Sequence, residues 1–467
     1  MKPAIQLDGR RVLVVGLART GIATALFCAG RGARVTASEE RGESQVAEAA
    51  AKLRAAPTHR GAAGVALELG GHREETFLAQ DLIVPSPGVP YAMPLLAKAR
   101  AKGIAVWSEI ELAWRFLRGR LVAITGSNGK TTTTSLVGHV LETAGVPTLV
   151  GGNIGRPLIS LAEISSEACV TVAEVSSFQL ENIVAFRPDV SVLLNLTPDH
   201  LDRHATMAEY ARAKARLFAN QTEADAAVMN ADDAQLAGLA PSRPRVLRFS
   251  RTATVAAGTY LRGEAIVFRQ GINETILLRR SDIGLRGEHN VENVLAAATV
   301  ARLVGVAPEA IAEGVRSFAG VEHRLEFVAE VDGVSFYNDS KATNVDATLK
   351  ALDAFAGGLL VILGGKDKGS DYTPLREPLA RRAGKALLIG AAAEKIGGQL
   401  AGAVATEASG TLERAVANAF AQARPGDTVL LAPACASFDQ FENYEHRGRV
   451  FKQLVRQLER TQAEKTA

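Results

Sequence analysis

The feature of this sequence that most constrains its fold is a unit that recurs along the chain: an apolar stretch, a glycine-rich turn and an alanine-rich segment of helical character. Residues 11–15 lead into a turn at residues 16–21 and a helical stretch over residues 22–30. Residues 121–125 lead into a second such turn and helix. A strand that passes through a glycine turn into a helix is typical of parallel sheets covered by helices on both faces. The sequence therefore predicts an α/β fold of doubly wound sheets.

The length of 467 residues predicts about three domains, because one domain usually takes roughly 150 residues. The pattern gives domains at residues 1–108, 109–320 and 321–467. We expect a Rossmann-like first domain, a central mononucleotide-binding domain with a phosphate loop, and a Rossmann-like third domain. Short β-like runs between about residues 245 and 280 predict an antiparallel patch in the central domain.

Composition excludes several classes of function. Lys and Arg number 53 and Asp and Glu 50, so the net charge of +3 provides no bulk field for nucleic acid or an anionic membrane. The three cysteines, Cys28, Cys169 and Cys435, are scattered as reduced thiols are in a cytosolic enzyme. The chain shows no leader-like start, and no apolar run approaches the ~18 residues of a membrane span. We therefore expect a soluble cytoplasmic protein.

The most specific short motif is the glycine turn at residues 124–132, which follows an apolar strand. Gly126 and Gly129 let the backbone turn its amides toward an anion, and Lys130 adds a positive charge for the outer phosphates. The hydroxyl of Thr131 can bind Mg²⁺ at the helix start. The alternative is a glycine turn that merely caps a helix. The motif predicts nucleoside triphosphate binding by Gly126, Ser127, Asn128, Gly129, Lys130, Thr131, Thr132 and Thr133.

The first glycine turn, at residues 16–21, is a weaker signal. It lacks the middle glycine of a dinucleotide fingerprint, and no acidic residue is expected to close the following strand, where Ala37 and Ser38 stand. This disfavours a nicotinamide cofactor. A bound pyrophosphate and simple strand–helix packing remain as two alternatives.

Two further strands of the central domain are followed by candidate metal ligands. Residues 169–173 lead to Glu174, and residues 189–195 lead to a loop with His200. Because ligands bind at the carboxyl ends of parallel strands, these side chains and Thr131 predict a site for one or two Mg²⁺ ions. Taken alone, His200 would more often be an ordinary loop histidine, but its occurrence together with Glu174 and Thr131 favours a metal ligand.

Lys214 lies on the apolar stripe of a predicted helix. Thr206 and Glu209 resemble a capping box that opens a helix over residues 207–218, and Lys214 falls among its inward positions. A lysine at such a position usually extends its amine to water along its apolar stem. The alternative is a partly desolvated amine that can be chemically modified.

Taken together, the motifs resemble those of the Mur ligases of peptidoglycan synthesis and their folylpolyglutamate synthase relatives. The runs that carry the resemblance occur in order along nearly the whole chain: GLARTG, SPGVP, TGSNGKTTT, GGNIG, EVSSFQLE, DHLDRH, GEHNVEN, HRLE, NDSKATN and PACASFDQF. TGSNGKT marks the superfamily. The runs at residues 338–344 and 433–441 are similar to those of the D-glutamate-adding members.

The resemblance implies an ATP-dependent amide ligase. ATP would phosphorylate the carboxylate of UDP-N-acetylmuramoyl-L-alanine, and the amine of D-glutamate would attack the acyl phosphate. ATP and Mg²⁺ are the expected cofactors, and the two substrates are the expected partners of a monomer that binds neither nucleic acid nor membrane. The alternatives are another Mur ligase, a folylpolyglutamate synthase-like ligase, or, from another class, a regulatory protein comparable to a switch GTPase.

The resemblance also implies roles for the nucleotide and metal residues. Lys130 would hold the outer phosphates, Thr131 and Glu174 the first Mg²⁺, and His200 with an N-carboxylated Lys214 the second. Further contacts to ATP are implied for the adenine-binding pair Asn290 and Asn293, for Arg324 at the γ-phosphate, and for Asp339 at the ribose. The implied catalytic set is Lys130, His200, Lys214 and Arg324.

Substrate contacts are implied at three further groups of residues. The D-glutamate pocket would consist of Thr343, Lys368, Ser437 and Phe438, with Lys341 nearby and Lys366 as the alternative to Lys368. The uridine nucleotide would contact Arg19, Thr20 and Ser38. The muramoyl group would face Asn153 and Gln179. The Ser38 assignment departs from the family pattern, which places an acidic residue and a threonine at the end of the second strand.

Overall fold

The structure, a computed structural model, describes residues 5–56, 64–198, 203–367 and 369–466. The chain divides into two compact units. The first consists of Met1–Ile283 and Val291–Ser317, and the second of Gly284–Asn290 and Phe318–Ala467. In the described residues the first unit contains a five-stranded and a nine-stranded sheet, and the second contains a six-stranded sheet. The prediction of a three-domain α/β fold is confirmed, while the exact limits at residues 108 and 320 stay predictions.

The five-stranded sheet is parallel throughout and has the order β3-β2-β1-β4-β5. The order reverses between β1 and β4, and this is where an open parallel sheet forms its ligand crevice. Its strands are β1 (Arg11–Val15), β2 (Arg34–Glu39), β3 (Ala66–Leu69), β4 (Leu82–Pro85) and β5 (Ala105–Val106). Its helices are α1 (Arg19–Ala29), α2 (Ala47–Arg54), α3 (Glu74–Leu78), α4 (Pro94–Ala101) and α5 (Glu109–Phe116).

The nine-stranded sheet has the order β14-β13-β12-β11-β10-β9-β6-β8-β7. Its strands are β6 (Arg120–Thr125), β7 (Thr148–Gly152), β8 (Val170–Glu174), β9 (Val190–Leu193), β10 (Ala226–Asn230), β11 (Arg245–Ser250), β12 (Ala257–Arg262), β13 (Ala265–Gln270) and β14 (Asn273–Arg279). The strands β12 to β14 are antiparallel, which confirms the predicted patch. The helices are α6 (Lys130–Thr143), α7 (Leu158–Ala162), α8 (Ser177–Leu180), α9 (Met207–Ala215), α10 (Glu288–Val304) and α11 (Pro308–Ser317).

The six-stranded sheet of the second unit has the order β15-β16-β20-β17-β18-β19, and only β15 is antiparallel to its neighbour. Its strands are β15 (Glu326–Val331), β16 (Val334–Asn338), β17 (Leu359–Gly364), β18 (Ala383–Ile389), β19 (Ala405–Gly410) and β20 (Thr428–Leu431). Its helices are α12 (Val345–Asp353), α13 (Arg376–Arg382), α14 (Ala393–Leu400), α15 (Leu412–Gln422) and α16 (Tyr444–Thr466).

Helix α5 ties together the two sheets of the first unit. Its side chains Ile110, Leu112 and Trp114 belong to the same buried cluster as Val12 of β1 and Leu121 of β6. Ser108 caps the helix by accepting a hydrogen bond from the amide of Glu111. The residue at which the first domain was expected to end is thus the start of a shared core helix.

Two predicted elements end elsewhere in the structure. Strand β2 runs on to Glu39, which pairs with Leu69 of β3, so the strand does not stop at Ser38. Helix α9 ends at Ala215 and tightens into a 3₁₀ turn at Arg216–Phe218. Among the described residues, none of the helices combines the length and apolar character that a membrane crossing requires.

Candidate active site

Three loops of the nine-stranded sheet begin next to one another, at the carboxyl ends of the neighbouring strands β6, β8 and β9. Strand β6 lies between β8 and β9, with Ile124 opposite Glu174 and Thr125 opposite Leu193. The phosphate loop, Glu174 and the segment that follows β9 therefore start at the same edge. Ligands of open parallel sheets bind at this edge.

Glycine is required at Gly129, the last residue before α6. Its φ of +81° belongs to the left-handed region, and a Cβ there would lie 2.4 Å from Oδ1 of Asn293. That oxygen also accepts a hydrogen bond from the hydroxyl of Thr133, at 3.1 Å. Asn293 therefore packs directly against the loop and the first turn of α6, where helix amides favour an anion.

The segment after β9 holds the loop from the other side. The side chain of Asn195 accepts a hydrogen bond from the amide of Asn128 at 2.8 Å and donates one to its carbonyl at 3.1 Å. The hydroxyl of Ser127 donates to the carbonyl of Thr197 at 3.0 Å. Sequence reasoning missed Asn195 and Thr197, for which the only signal was polar residues after a buried strand.

Two lysine amines meet at one carbonyl of the loop. Nζ of Lys130 donates to the carbonyls of Gly126 and Ser127 at 2.9 and 2.8 Å, and Nζ of Lys214 donates to that of Gly126 at 2.8 Å. Lys214 is 1% exposed, and its amine lies 4.5 Å from the ring centre of Tyr210. The head group is therefore buried, which excludes a lysine that extends to water. The Lys130 amine beside a turn rich in amides makes an anion site.

Glu174 supplies a carboxylate next to this loop. The side chain is 2% exposed, and Oε1 accepts a hydrogen bond from the side chain of Asn153 at 2.9 Å. Oε2 has no hydrogen-bond partner within the described parts of the chain. A buried carboxylate oxygen left in this state suits a cation, and Thr131 places a buried hydroxyl in the first turn of α6.

These oxygens fit the donor set of Mg²⁺, which prefers hard oxygen ligands and keeps several waters. Across residues 5–56, 64–198, 203–367 and 369–466, no group of three or more His, Cys, Asp or Glu could hold a metal ion. A site built on one carboxylate and one hydroxyl is consistent with that finding. His200 lies outside the described residues.

The first glycine turn, at residues 16–21, contacts a carboxylate. The expectation that no acidic residue closes the following strand is therefore wrong. An acidic residue does close the following strand: Oε2 of Glu39 accepts a hydrogen bond from the amide of Leu17 at 2.7 Å. The hydrogen bond from Arg41, together with the Leu17 amide, lowers the pKa of Glu39 to about 2. The expectation failed because β2 is shifted by one residue: it covers Arg34–Glu39, whereas the sequence predicts a strand over residues 33–38.

The structure also corrects the expected role of Ser38. Its side chain is fully buried, and the hydroxyl lies 2.7 Å from Nδ1 of His72 and 3.2 Å from Oε1 of Glu68. It therefore has no surface to offer a uracil, and the strand end is taken by Glu39. Gln179 is buried as well, and its Oε1 accepts hydrogen bonds from the amide and hydroxyl of Ser176 to close the capping box of α8.

Other residues assigned to the uridine substrate lie near the first glycine turn and α7. Arg19 opens α1 and donates to the carbonyl of Gly155 at 3.0 Å. The carbonyl of Thr20 accepts a hydrogen bond from the hydroxyl of Thr24. Asn153 is exposed and bonded to Glu174. Arg19 thus contacts the same short turn between β7 and α7 that contains Asn153.

In the second unit, the loops after three adjacent strands also leave one edge. Strand β20 lies between β16 and β17, so Asp339, Lys366 and Ser437 follow neighbouring strand ends. The amide of Lys366 donates to the carbonyl of Ala436 at 2.8 Å. This pairing joins the two loops that the resemblance assigns to D-glutamate.

A buried arginine that sequence reasoning missed connects two of these loops. Arg447 of α16 is fully buried, and it donates to the carbonyls of Ser340 at 2.9 Å and Cys435 at 3.1 Å. Burial lowers its pKa to about 10. No local motif marks this residue, because its partners lie far from it in the sequence.

The backbone around Arg324 is strained. Its neighbours His323 and Leu325 have φ values of +64° and +44°, which non-glycine residues rarely adopt. Burial raises the pKa of Asp339 to about 6, opposed by the charge of Arg324 and by the Leu325 amide. Arg324 and Asp339 are therefore close enough to interact electrostatically within this unit.

The remaining predicted residues of the second unit are placed as follows. Ser437 is buried, whereas the adjacent Phe438 is 65% exposed. The amide of Thr343 donates to the carbonyl of Lys341, whose amine lies 5.8 Å from the ring centre of Tyr444. Lys368 lies outside the described residues. Asn290 is buried in the first turn of α10, and its side chain donates to the carbonyl of Arg286 at 2.6 Å.

A parallel α/β fold with a lysine-bearing phosphate loop and an adjacent buried carboxylate defines the class of the protein: a nucleotide-binding enzyme fold. Family models agree and are more specific. The MurD-like N-terminal domain matches residues 10–108, the Mur ligase middle domain residues 124–301, and the Mur ligase glutamate ligase domain residues 323–435.

Curated relatives cover nearly the full chain. The UDP-N-acetylmuramoylalanine--D-glutamate ligase of Koribacter versatilis is 52% identical over 97% of this chain and 99% of that protein. The ligases of the same name from Acidobacterium capsulatum and Solibacter usitatus are 54% and 53% identical, each over 97% of this chain, covering 97% and 99% of their own lengths. The chain therefore belongs to the Mur ligase family, as the motifs predicted.

Solved structures of more distant proteins share the fold. The UDP-N-acetylmuramate-alanine ligase MurC from Thermotoga maritima is 18% identical with a TM-score of 0.60, over 96% of this chain and 99% of that chain. A MurF ligase from Thermotoga maritima, in complex with ADP, is 17% identical with a TM-score of 0.59, over 97% of this chain and 100% of that chain.

Proposed function

We propose that this protein joins D-glutamate to UDP-N-acetylmuramoyl-L-alanine at the expense of ATP, as a step in peptidoglycan precursor synthesis. The observation that carries the proposal is the group around the phosphate loop, where two lysine amines and a buried carboxylate meet at adjacent strand ends. The names of the relatives at 52–54% identity support the choice of substrates.

The first step requires two anions to approach each other. An oxygen of the substrate carboxylate attacks the γ-phosphorus of ATP, the bond to the bridging oxygen breaks, and ADP leaves. Lys130 and the loop amides bind the phosphates and stabilise the charge that develops on the transferred group. The product is an acyl phosphate, whose phosphate is a far better leaving group than oxide.

The second step forms the amide. The neutral amine of D-glutamate attacks the acyl carbonyl, the tetrahedral intermediate expels phosphate, and the extra proton of the nitrogen passes to the departing phosphate. The paired loops of the second unit, with Ser437 and Lys366, support a role in holding the amino acid. The roles of Lys368, and of Arg324 and Asp339 toward ATP, stay predictions.

A site of this kind would hold Mg²⁺, which would neutralise phosphate charge and polarise the γ-phosphoryl group. Thr131 and Glu174 would hold it, and the partnerless oxygen of Glu174 supports this assignment. His200 is proposed as a ligand of a second ion on the resemblance alone.

We infer further that Lys214 is carbamylated in the working enzyme. Burial of an ammonium group is costly, and Lys214 is 1% exposed on the buried side of α9. Carbon dioxide adds to the neutral amine and one N–H proton leaves, which converts the side chain into an anionic oxygen donor. Lys214→Ala should abolish turnover, and short carboxylic acids should partly restore it; the control is Lys52→Ala, an exposed lysine. Unchanged turnover in Lys214→Ala would contradict the inference.

An acceptor screen tests the main proposal. The protein is incubated with ATP, Mg²⁺ and UDP-N-acetylmuramoyl-L-alanine, and phosphate release is measured with D-glutamate, L-glutamate or meso-diaminopimelate. Release with D-glutamate alone is the expected result. Release with another amino acid but not with D-glutamate would indicate a different Mur ligase or a folylpolyglutamate synthase-like enzyme. Slow hydrolysis that ignores every acceptor would indicate a regulatory nucleotide-binding protein. Action as a cytoplasmic monomer stays a prediction.

A further inference from the structure

Glu109 is a buried acid that the proposed mechanism does not use. It lies in the first turn of α5 and is 2% exposed. Oε1 accepts a hydrogen bond from the amide of Ile159 at 2.6 Å, while Oε2 has no partner among the described residues. Burial raises the pKa of Glu109 to about 7, although the amides of Ile159 and Leu158 act in the opposite direction. Such a costly group calls for an explanation.

The amide that Glu109 binds lies in the first turn of α7. The turn that precedes α7 contacts Glu174 through Asn153. That turn connects β7 to α7 and is closed by a hydrogen bond from the amide of Gly152 to the carbonyl of Arg156, at 2.8 Å. Its residue Asn153 contacts Glu174 twice: the amide donates to the carbonyl at 2.8 Å, and the side chain donates to Oε1 at 2.9 Å. The turn is therefore anchored by Glu174 at one end and by Glu109 at the other.

The other buried acid of the same helix makes a useful contrast. Oε2 of Glu111 accepts hydrogen bonds from the amides of Val184, Ala185 and Phe186, at 2.7 to 2.9 Å, and Oε1 pairs with Arg115. Both of its oxygens are used, and it caps a segment that leads only into β9. Glu109, in contrast, connects α5 to the turn that carries Asn153.

We propose that Glu109 is a positioning residue: it fixes the start of α7 and the turn that carries Asn153, and so orients the carboxylate of Glu174 for a divalent cation. The inference rests on the proposed role of Glu174. A group that orients a metal ligand typically changes metal affinity roughly 10- to 100-fold when it is removed. A purely structural cap would change stability but not the Mg²⁺ requirement.

The test measures ADP binding by calorimetry as a function of Mg²⁺ concentration, which needs no turnover. Glu109→Leu should raise the Mg²⁺ concentration at half-maximal ADP affinity roughly tenfold, and Asn153→Leu should do the same. Glu109→Gln keeps an acceptor for the Ile159 amide and should stay close to the unmodified protein. The control is Glu163→Leu, which removes only an exposed ion pair with Arg31 just beyond the end of α7.

The double variant decides whether Glu109 acts through Asn153. If it does, Glu109→Leu combined with Asn153→Leu should be no worse than either single change. Two results would overturn the proposal. One is a shift in Mg²⁺ requirement in the double variant equal to the product of the two single shifts, and the other is an unchanged Mg²⁺ requirement in Glu109→Leu. If the leucine variant does not fold, Glu109→Asp, which withdraws the carboxylate by one methylene, should show the same shift in smaller measure. Failure of the D-glutamate screen would leave this binding result intact, so the two proposals fail separately.

Discussion

The two glycine turns of the first unit follow the same local pattern but have opposite electrostatic surroundings. In the turn after β1, the carboxylate of Glu39 from the adjacent strand accepts a hydrogen bond from the amide of Leu17. In the turn after β6, two lysine amines meet at the carbonyl of Gly126. The charge that each turn can bind is therefore set by the charged side chains beside it, Glu39 at the first turn and Lys130 at the second, and not by the glycines.

The glycines themselves also serve different purposes. A Cβ at Gly21 would lie 1.9 Å from the carbonyl oxygen of Gly16, so this glycine allows α1 to pack closely against its own turn. Gly129 has a left-handed φ of +81° at the start of α6, and this conformation shapes the loop. The first turn is thus a packing device with a charged residue, Arg19, at its helix start. The second turn is an anion site.

Among changes within the two glycine turns, the largest effect should follow from removing the amine of Lys130 in the second turn. Lys130→Ala should lower kcat roughly 10²- to 10³-fold, because charge on the transferred phosphoryl group loses a donor. Stopped-flow or steady-state phosphate release measures the loss, and a thermal melt checks that the variant is folded. Lys52→Ala, an exposed lysine, is the control. A change of less than a few-fold would show that the loop amides alone carry the phosphates.

The packing role of the first turn predicts a loss of stability. Gly21→Ala places a methyl group against the Gly16 carbonyl and should lower the free energy of unfolding by about 3 kcal/mol, measured by urea titration. Gly42→Ala is the matched control, because a Cβ there meets nothing within 4 Å. Equal stability of the two variants would mean that α1 shifts without strain.

The carboxylate of the first turn predicts a pH dependence. The pKa of Glu39 is about 2 in the folded protein against 4.5 as its ordinary value, so its contribution to stability is complete above pH 4.5 and is lost as the pH falls toward 2. Glu39→Gln should therefore lower the free energy of unfolding by about 2 kcal/mol at pH 7, less than the full pKa shift implies because solvent screens the pair with the exposed Arg41. The difference should shrink steadily below pH 4.5.

Glu40→Gln, at the exposed neighbouring position, should match the unmodified protein at every pH. A difference between Glu39→Gln and the unmodified protein that persists unchanged to pH 2 would show that the carboxylate charge is not the source.

The sequence predicted those parts of the fold and site that depend on neighbouring residues. The phosphate loop is one continuous run, and the inward position of Lys214 follows from helical spacing. Glu39 was missed because the end of β2 depends on its pairing with Leu69, which no local pattern encodes. Arg447 was missed because the carbonyls that it holds lie more than ten residues away at the nearest and over a hundred at the farthest.

The smallest expected effect concerns Arg19 and decides whether the first turn also binds an anion. If this guanidinium contacts the pyrophosphate of the uridine substrate, Arg19→Ala should raise the KM for that substrate roughly tenfold and leave kcat and the KM for ATP unchanged. Arg31→Ala is the control, since Arg31 lies beyond the other end of α1 and pairs with Glu163. An unchanged KM would show that the first turn serves only to pack α1 against β1, and that the carboxylate of Glu39 repels anions there. A rise in KM would show that both glycine turns bind phosphate, one through an arginine at the helix start and the other through Lys130 and the loop amides.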